Sequence, residues 1–235
     1  MKDKITIEIG SKIRSFRKLR GYTVQQLSDL INKSKATLSK YESGQIDIDI
    51  ITMYDIAAAL KIQVEQLLPL PTYKKYVPND KIPAFFRDLS QFYIYMFDGR
   101  SRSLNRCVVD VLSQMTPDTF KIVMYLNSRD HEHYQNCEFS YFGTMKHYDS
   151  LTHLILQNQD SPIEQVIVTV MASFVNVDIK WGLFFGLSFR PLMPCAEKAL
   201  LSRSPLKEDE KLLKQLMVSK EDIRLLKLYN MMTVT

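Results

Sequence analysis

The first hydrophobic pattern along the chain repeats at helical spacing and is broken by a tight turn. Leu27, Leu30 and Ile31 form one apolar stripe, and Leu38 and Tyr41 form a second stripe a few residues later. The residues between these apolar positions are polar or small. The pattern predicts two short helices that meet at a sharp turn, with the polar side chains of the second helix facing outward.

Capping residues mark the ends of both predicted helices. Thr23 precedes the first helix and Gln26 follows three residues later, which is the arrangement of a capping box. Ser34 is placed to cap the second helix. Gly44 follows the last turn of that helix, where a left-handed backbone is needed. Segment 23–44 is therefore predicted to be a helix-turn-helix unit.

Short side chains and two lysines occupy the outward face of the second predicted helix. This composition suits insertion of the N-terminal end of a helix into the major groove of DNA. The residues that we expect to contact DNA are Thr23, Val24, Gln25, Ser34, Lys35, Ala36, Thr37, Ser39, Lys40 and Ser43.

The charge distribution favours DNA binding over the alternative that these lysines merely solvate a structural helix pair. Residues 1–40 contain ten Lys and Arg against three Asp and Glu, a net charge of +7. Residues 41–70 contain one Lys against five acidic residues, a net charge of −4. Positive charge is thus concentrated on the first three predicted helices, as a phosphate-facing surface requires.

Residues 9–68 resemble the Cro/CI-type helix-turn-helix domain of the phage-repressor (XRE) superfamily, a module of five helices. The matching positions are Ile13, Arg17, Leu19, 21–23, 26–28, 38–44, 56–60 and 64–68. The resemblance implies that Arg17 of the first helix forms a buried ion pair with Glu42 at the end of the recognition helix. Two departures stand out. Val24 occupies a position where a DNA-contacting glutamine is frequent, and Ile48-Asp49 replaces the usual Pro-Ser before the fourth helix.

A proline-rich segment, 69–83, follows this module and is predicted to be a stiff linker. Beyond it the hydrophobic period changes from 3.6 to 2. Segments rich in Val, Ile, Phe and Tyr are predicted to be seven strands: 91–98, 104–113, 119–127, 136–147, 151–158, 163–174 and 178–189. The short links between them favour an antiparallel meander that closes toward a barrel or half-barrel.

The tail returns to helical spacing. We predict a short helix over 194–201, a second from Ser204-Pro205 through Val218, and a third from Ser219 through Met232. These helices either pack on the sheet or mediate dimerisation. The predicted fold class is α+β, with a five-helix domain at 9–68 followed by a β-rich domain with C-terminal helices at 84–235.

Composition is ordinary for a soluble globular protein, with 46% hydrophobic and 24% charged residues. No apolar run approaches the ~18 residues of a membrane-spanning helix, and no secretory signal is evident. The three cysteines form no CxxC pair, which fits reduced thiols better than a disulfide framework. We therefore expect a cytoplasmic protein that does not bind a membrane.

Two sets of side chains in the β-rich domain are candidates for chemistry. A small-molecule effector pocket is predicted from aromatic side chains, with core packing as the alternative: Tyr93, Tyr95, Tyr125, Tyr141, Trp181 and Phe185. Weak metal-ligand candidates, with a polar hairpin as the alternative, are His131, His133, Cys137 and Glu138. We expect no metal and no cofactor.

Catalytic motifs are missing from the sequence. The Ser-Met-x-Pro context of LexA-type self-cleaving repressors does not occur, and seven glycines leave little material for a phosphate-cradling loop. We therefore expect that the chain is not an enzyme.

These patterns together predict a sequence-specific transcriptional regulator that binds a palindromic operator in double-stranded DNA as a homodimer. Its β-rich domain would sense an effector, dimerise, or do both. The alternative is an antitoxin or mobile-element repressor whose second domain binds a protein partner.

Overall fold

The computed structural model describes residues 2–69, 82–128, 131, 133–173, 175–189 and 192–234. The chain divides into two compact units, Met1–Pro71 and Thr72–Thr235. Most of the predicted linker, 70–81, lies outside the described residues. The first unit is helical and the second is built on antiparallel strands, so the predicted α+β fold class is confirmed.

The first unit contains the predicted five helices, the last of which is a 3-10 helix. They are α1 (Lys2–Leu19), α2 (Val24–Leu30), α3 (Lys35–Glu42), α4 (Ile50–Leu60) and a 3-10 turn at Val64–Gln66. Each α-helix contributes to one apolar core, which includes the fully buried side chains of Ile13, Leu27, Leu38, Ile56 and Leu60. Burial of these stripes holds the short helices together, because helices of this length are marginal alone.

The second unit is an eight-stranded closed barrel in which each strand is antiparallel to its neighbours. The strands are β1 (Gln91–Asp98), β2 (Ser103–Thr116), β3 (Thr119–Leu126), β4 (Phe139–His147), β5 (Leu151–Asn158), β6 (Gln165–Met171), β7 (Ile179–Phe189) and β8 (Leu192–Ser202). Pairing of β1 with β8, including Tyr95 opposite Leu200, closes the sheet. The predicted meander is thus confirmed as a complete barrel.

The prediction of a helix over 194–201 was wrong. This segment lies within β8, which pairs with β7 from Ile179–Ser202 to Phe189–Leu192 and with β1 on its other side. Its Ala, Glu, Lys and Leu residues favour a helix locally. Two ladders of backbone hydrogen bonds and burial of Ala199 and Leu201 in the barrel override that preference.

The barrel interior is filled with side chains. Inward-facing Val, Ile, Leu, Met and Phe residues from all eight strands form one buried cluster. A 3-10 helix at Ala84–Phe86 closes one end of the barrel, where Phe85 and Phe86 join the cluster and pack edge-on to Phe92. Among the described residues, the interior is therefore a packed core and not a large ligand cavity.

The inward and outward faces of β7 carry side chains of different size. Phe184 points into the core, and the adjacent inward positions are Gly182 and Gly186. A Cβ atom at position 182 would lie 2.8 Å from the carbonyl oxygen of Thr169. The bulky alternate residues of β7 consequently face outward, because side chains alternate along a strand.

The two C-terminal helices are shorter than predicted and behave differently. α5 (Glu210–Leu216) begins at the N-cap Asp209, not at Ser204, and buries Leu212 and Leu216 against β1 and β8. α6 (Lys220–Tyr229) follows the N-cap Ser219, so its predicted start is confirmed, and Ser219 forms a capping box with Asp222.

α6 buries none of its residues in the described part of the chain. An ion pair of 2.8 Å between Lys198 Nζ and Asp222 Oδ2 ties it to β8. Of the two roles left open by the sequence, packing on the sheet therefore applies to α5. In α6, the side chains of Leu226 and Leu228 remain exposed.

Candidate functional site

The helix-turn-helix corner is held by the capping interactions predicted from the sequence. The backbone N of Gln26 donates to Thr23 Oγ1 (3.2 Å), and the backbone N of Thr23 donates to Gln26 Oε1 (2.8 Å). The backbone N of Thr37 donates to Ser34 Oγ (3.0 Å). These bonds confirm the predicted N-caps of α2 and α3, and they set the first residue of each helix.

The turn between α2 and α3 depends on Asn32. Its φ of 52° lies in the left-handed region, which asparagine tolerates better than most residues. The next residue, Lys33, donates its backbone N–H to the carbonyl of Ser28 at 2.9 Å. The chain therefore reverses within a few residues and starts α3 at an angle to α2.

The C-terminal end of α3 is closed by Gly44, as predicted. Its φ is 69°, and the backbone N–H of Gln45 bonds to the carbonyl of Lys40 at 2.9 Å. A Cβ atom at position 44 would lie 2.6 Å from the Cα of Ile7 in α1. Glycine is needed here for both its backbone conformation and its lack of a side chain.

The two faces of α3 are clearly separated. Leu38 is fully buried and Tyr41 is 6% exposed, so these residues fix the helix to α1 and α2. The opposite face carries exposed residues at most positions proposed to contact DNA: Ser34, Lys35, Ala36, Ser39, Lys40 and Ser43, with Thr37 half-buried. α3 thus presents a continuous surface of small and basic side chains.

The predicted contacts from α2 are less uniform. Thr23 and Gln25 are exposed, whereas Val24 is half-buried. The Gln25 amide Nε2 donates to Asp29 Oδ1 at 2.7 Å within the same helix. Gln25 would have to exchange this bond for one to DNA.

Arg17 and Glu42 form an ion pair with two hydrogen bonds between α1 and the end of α3. Arg17 Nε lies 2.5 Å from Glu42 Oε1, and Arg17 Nη2 lies 3.0 Å from Glu42 Oε2. Arg17 Nη1 also donates to the carbonyl of Tyr22 at 2.7 Å. The side chains are 9% and 7% exposed. The hydrogen bond to Glu42 raises the pKa of Arg17. The ion pair joins the end of α3 to α1 and thereby helps to position α3.

Lys33 is a candidate DNA-contacting residue that the sequence patterns missed. It is exposed in the turn that precedes α3, outside either helical stripe.

Asp49, the N-cap of α4, has a lowered pKa because Thr52 donates side-chain and backbone hydrogen bonds, with a smaller contribution from the charge of Lys33. The unexpected Ile48-Asp49 pair therefore supplies an ordinary helix cap.

The six aromatic residues predicted to line an effector pocket do not line one pocket. Tyr141 faces the barrel interior. Tyr93, Tyr95 and Tyr125 are outward-facing residues of β1 and β3, and Trp181 and Phe185 are outward-facing residues of β7.

The outward tyrosines are buried because other parts of the unit cover them. The ring of Tyr134, from the loop between β3 and β4, packs on Tyr125, and its hydroxyl donates to Asp110 Oδ2 at 3.0 Å. The Tyr95 hydroxyl accepts a hydrogen bond from the backbone N of Leu206 (2.9 Å), and burial raises the pKa of Tyr95 to about 12. This cluster is a packed polar layer beneath the loop and the tail.

A small cavity of about 70 Å³ lies at the barrel end opposite the 3-10 helix. Tyr141, Glu164, Cys195 and Glu197 are among the residues that line it. Glu164 accepts a hydrogen bond from Asn158 Nδ2 at 2.6 Å. Burial, followed by the nearby charge of Asp98, raises the pKa of Glu197.

The metal-ligand candidates lie in a loop, because β4 begins at Phe139 and not at Asn136. His131 is half-buried against the Tyr93 ring, whereas His133 is exposed. Cys137 is half-buried, and the exposed Glu138 accepts a hydrogen bond from Asn127. Among the described residues, no three His, Cys, Asp or Glu side chains are arranged to hold a metal ion.

Comparison with known proteins identifies a family match within the first unit. Residues 13–67 match the family model HTH_3, described as helix-turn-helix. No curated protein matches the chain. No helix among the described residues is long and apolar enough to cross a membrane.

Three solved structures are similar to parts of this chain. The restriction-modification controller protein C.AhdI from Aeromonas hydrophila is 22% identical and covers 27% of this chain and 96% of its own, with a TM-score of 0.26. The DNA-binding domain of BldD is 20% identical over 29% of this chain and 100% of its own, with a TM-score of 0.28. Hydroxypropylphosphonic acid epoxidase from S. wedmorenis is 10% identical over 84% and 91% of the two chains, with a TM-score of 0.28.

The family match is specific, and it coincides with the helices whose caps and buried stripes are described above. It supports a DNA-binding role in transcription regulation. Residues 13–67 are thus an XRE-type helix-turn-helix domain, and the matched region ends before the barrel begins.

Proposed function

We propose that this chain is a sequence-specific transcriptional regulator in which α3 reads the major groove of double-stranded DNA. The observation that carries the proposal is the outward face of α3, where Lys35, Ala36, Ser39 and Lys40 are exposed side by side. Helices of this type place their N-terminal residues against base edges. Short side chains allow the helix to approach the bases closely.

Individual side chains have different roles in this proposal. Lys35 and Lys40 reach guanine edges or nearby phosphates, and Ala36 contacts a thymine methyl group. Lys33 and Ser34, at the turn before α3, are placed to bind phosphate oxygens, which position a protein on DNA without reading its sequence. The basic charge of α1 to α3 strengthens binding to any duplex and makes that binding salt-dependent.

We further propose that the barrel unit serves assembly, so that two copies bind a palindromic operator. The filled interior supports this role over one in which the barrel encloses an effector. Ligand pockets typically measure about 300–1,000 Å³, whereas the cavity beside Tyr141 and Glu197 measures about 70 Å³.

A protein partner bound to the barrel surface, as in an antitoxin, is the second candidate function. The same filled interior supports it, since a partner needs only the outside of the barrel. This proposal leaves room for an effector only as a small ligand in the cavity of about 70 Å³ at the barrel end. The proposal assigns no catalytic step to either unit.

The test uses a duplex that the purified protein itself selects from a random-sequence library. Lys35→Ala and Lys40→Ala are each expected to lower affinity for that duplex by about 1–3 kcal/mol if the lysine contacts a base. Lys214→Ala removes an exposed lysine from α5 and is the matched control, with unchanged affinity expected. Fluorescence anisotropy at several salt concentrations measures both affinity and salt dependence. Unchanged binding by the Lys35→Ala, Lys40→Ala double variant would reject α3 as the reading helix.

A further inference from the structure

The described part of the chain covers one side of the barrel and leaves much of the opposite side exposed. On β1 and β3, the outward side chains of Tyr93, Tyr95 and Tyr125 are 8%, 0% and 1% exposed. The loop between β3 and β4 covers Tyr93 and Tyr125, and the segment that leads to α5 reaches Tyr95. β5, β6 and β7 lie across the barrel from this covered side.

The outward positions of β5, β6 and β7 form an exposed apolar surface. We call it the outer β5–β7 face and define it by residues 151, 153, 155, 157, 165, 167, 169, 171, 179, 181, 183 and 185. Their neighbours Leu154, Leu156, Val168 and Phe184 point into the core, so the pleat directs these residues outward. All of them lie in the described part of the chain.

Strand register places the largest exposed side chains next to one another. Ile155 is paired with Ile167, and Ile167 is paired with Phe185, so three apolar residues form a row across three strands. They are 51%, 40% and 40% exposed. Met171 and Ile179, at the far end of the face, are 61% and 48% exposed.

The outer β5–β7 face carries none of the residues Asp, Glu, Lys or Arg. Its one imidazole, His153, is held by Thr169 Oγ1 at 2.9 Å from Nδ1. The exposed apolar side chains amount to on the order of 500 Å² or more, which is at the upper end for a patch on a monomer. A standard interface buries ~800 Å² per partner, so this patch is of the right order for the centre of one.

We propose that the outer β5–β7 face is the surface through which two copies of this chain associate. A two-fold contact places the same face on both partners, and outward positions that hold no Asp, Glu, Lys or Arg meet their own copy with little like-charge repulsion. The ammonium of Lys198 lies beside the face, over the Trp181 ring, and is paired with Asp222. Sheet faces pack well on each other at about 10 Å separation, with the side chains of Ile155, Ile167 and Phe185 between them.

This inference rests on the proposed function, because a palindromic operator requires two reading helices. It replaces the alternative, left open by the sequence, that the C-terminal helices mediate dimerisation. Leu216 is 3% exposed and already packed on the barrel, so it is not available to a partner. α6 remains exposed at Leu228, and it is the competing surface that the experiment must separate.

The test compares sedimentation of the wild-type chain and three variants at micromolar concentrations. Ile167→Glu and Phe185→Glu place a charge at the centre of the outer β5–β7 face. We expect each to raise the self-association Kd by about 30-fold or more, as for a central interface residue. Leu228→Glu introduces the same charge at a residue of α6 that is 62% exposed, and it should leave the dimer unchanged.

Trp181 gives a second measurement that needs no substitution. It is the one tryptophan of the sequence and is half-buried on the same face, with Lys198 Nζ 4.9 Å from its ring centroid. Dimerisation should shift its emission to shorter wavelength over the concentration range in which sedimentation detects the dimer. If the glutamate variants fail to fold, as judged by circular dichroism, the Leu228→Glu variant decides the question, because it leaves the outer β5–β7 face intact. A shift that persists in this variant supports the face, and a shift that disappears assigns association to α6.

The outcomes separate this inference from the proposed function. A monomeric wild-type protein, dimeric Ile167→Glu and Phe185→Glu variants, or dissociation caused by Leu228→Glu would each overturn the proposed surface. A half-site duplex tests DNA binding separately. Dimer-breaking variants should bind the half-site as wild type does and bind the full palindrome more weakly. A dimer that ignores all selected duplexes would reject the DNA-binding function and retain the surface.

Discussion

Removal of the Glu42 carboxylate tests how the recognition helix is positioned. In Glu42→Ala, the Arg17 guanidinium keeps its hydrogen bond to the carbonyl of Tyr22 and loses both bonds to Glu42. The Arg17 side chain is 9% exposed, so water replaces the lost carboxylate poorly. Breaking one partner of a buried ion pair costs about 3–5 kcal/mol.

That cost is large relative to the stability of the helical unit. Domains have about 0.05–0.15 kcal/mol of stability per residue, which is roughly 4–10 kcal/mol for a unit of this size. Glu42→Ala should therefore raise the fraction of open or unfolded helical unit by more than about a hundredfold. Hydrogen–deuterium exchange with mass spectrometry measures this in the full chain, because peptides from α1 and α3 report on the helical unit and peptides from β1 to β8 report on the barrel.

Two matched variants sharpen the interpretation. Glu221→Ala removes the carboxylate of an ion pair whose side chains are 61% and 59% exposed on α6, and it should leave exchange in every peptide of the helical unit unchanged. Arg17→Met combined with Glu42→Leu removes both charges and should recover much of the loss. Less than a tenfold change in α1 and α3 exchange for Glu42→Ala would show that the pair contributes little to stability.

Three further variants test separate parts of the fold. Gly44→Ala should lower the melting temperature of the helical unit more than Gly21→Ala, because both positions have positive φ but a Cβ meets another backbone only at position 44. Burial lowers the pKa of His147 to about 4. The unfolded state therefore binds a proton at this residue more readily than the folded state between about pH 6.5 and 4, and the stability of the barrel should fall as pH decreases through that window. Urea denaturation should show a weaker pH dependence for His147→Phe, and an identical pH profile would rule out this residue as the cause. Leu216→Asp should lower the free energy of unfolding of the barrel by several kcal/mol in the same assay, since it places a charge in the packed contact of α5; an unchanged midpoint would contradict that packing.

The helical unit could be predicted from the sequence because its determinants are local. A capping box joins residues three positions apart, as at Thr23 and Gln26, and an amphipathic stripe repeats within one helix. The turn at Asn32 and the left-handed end of α3 at Gly44 also depend on neighbouring residues. The meander of the second unit was visible for the same reason, since alternation along a strand is a local pattern.

The tertiary structure decided everything that depends on distant pairing. β8 is a strand because β1 and β7 lie on both sides of it, although its own residues favour a helix. The amphipathic pattern of β7 did not reveal which face is inside, because a closed barrel placed Phe184 and two glycines inward and left Phe185 outside. Burial of Tyr95 depends on a tail segment far away in sequence, and the exposure of Ile167 depends on the lack of such a cover among the described residues. Local chemistry determined most of the elements, distant pairing determined β8, and chain closure and coverage determined which surfaces remain for a partner.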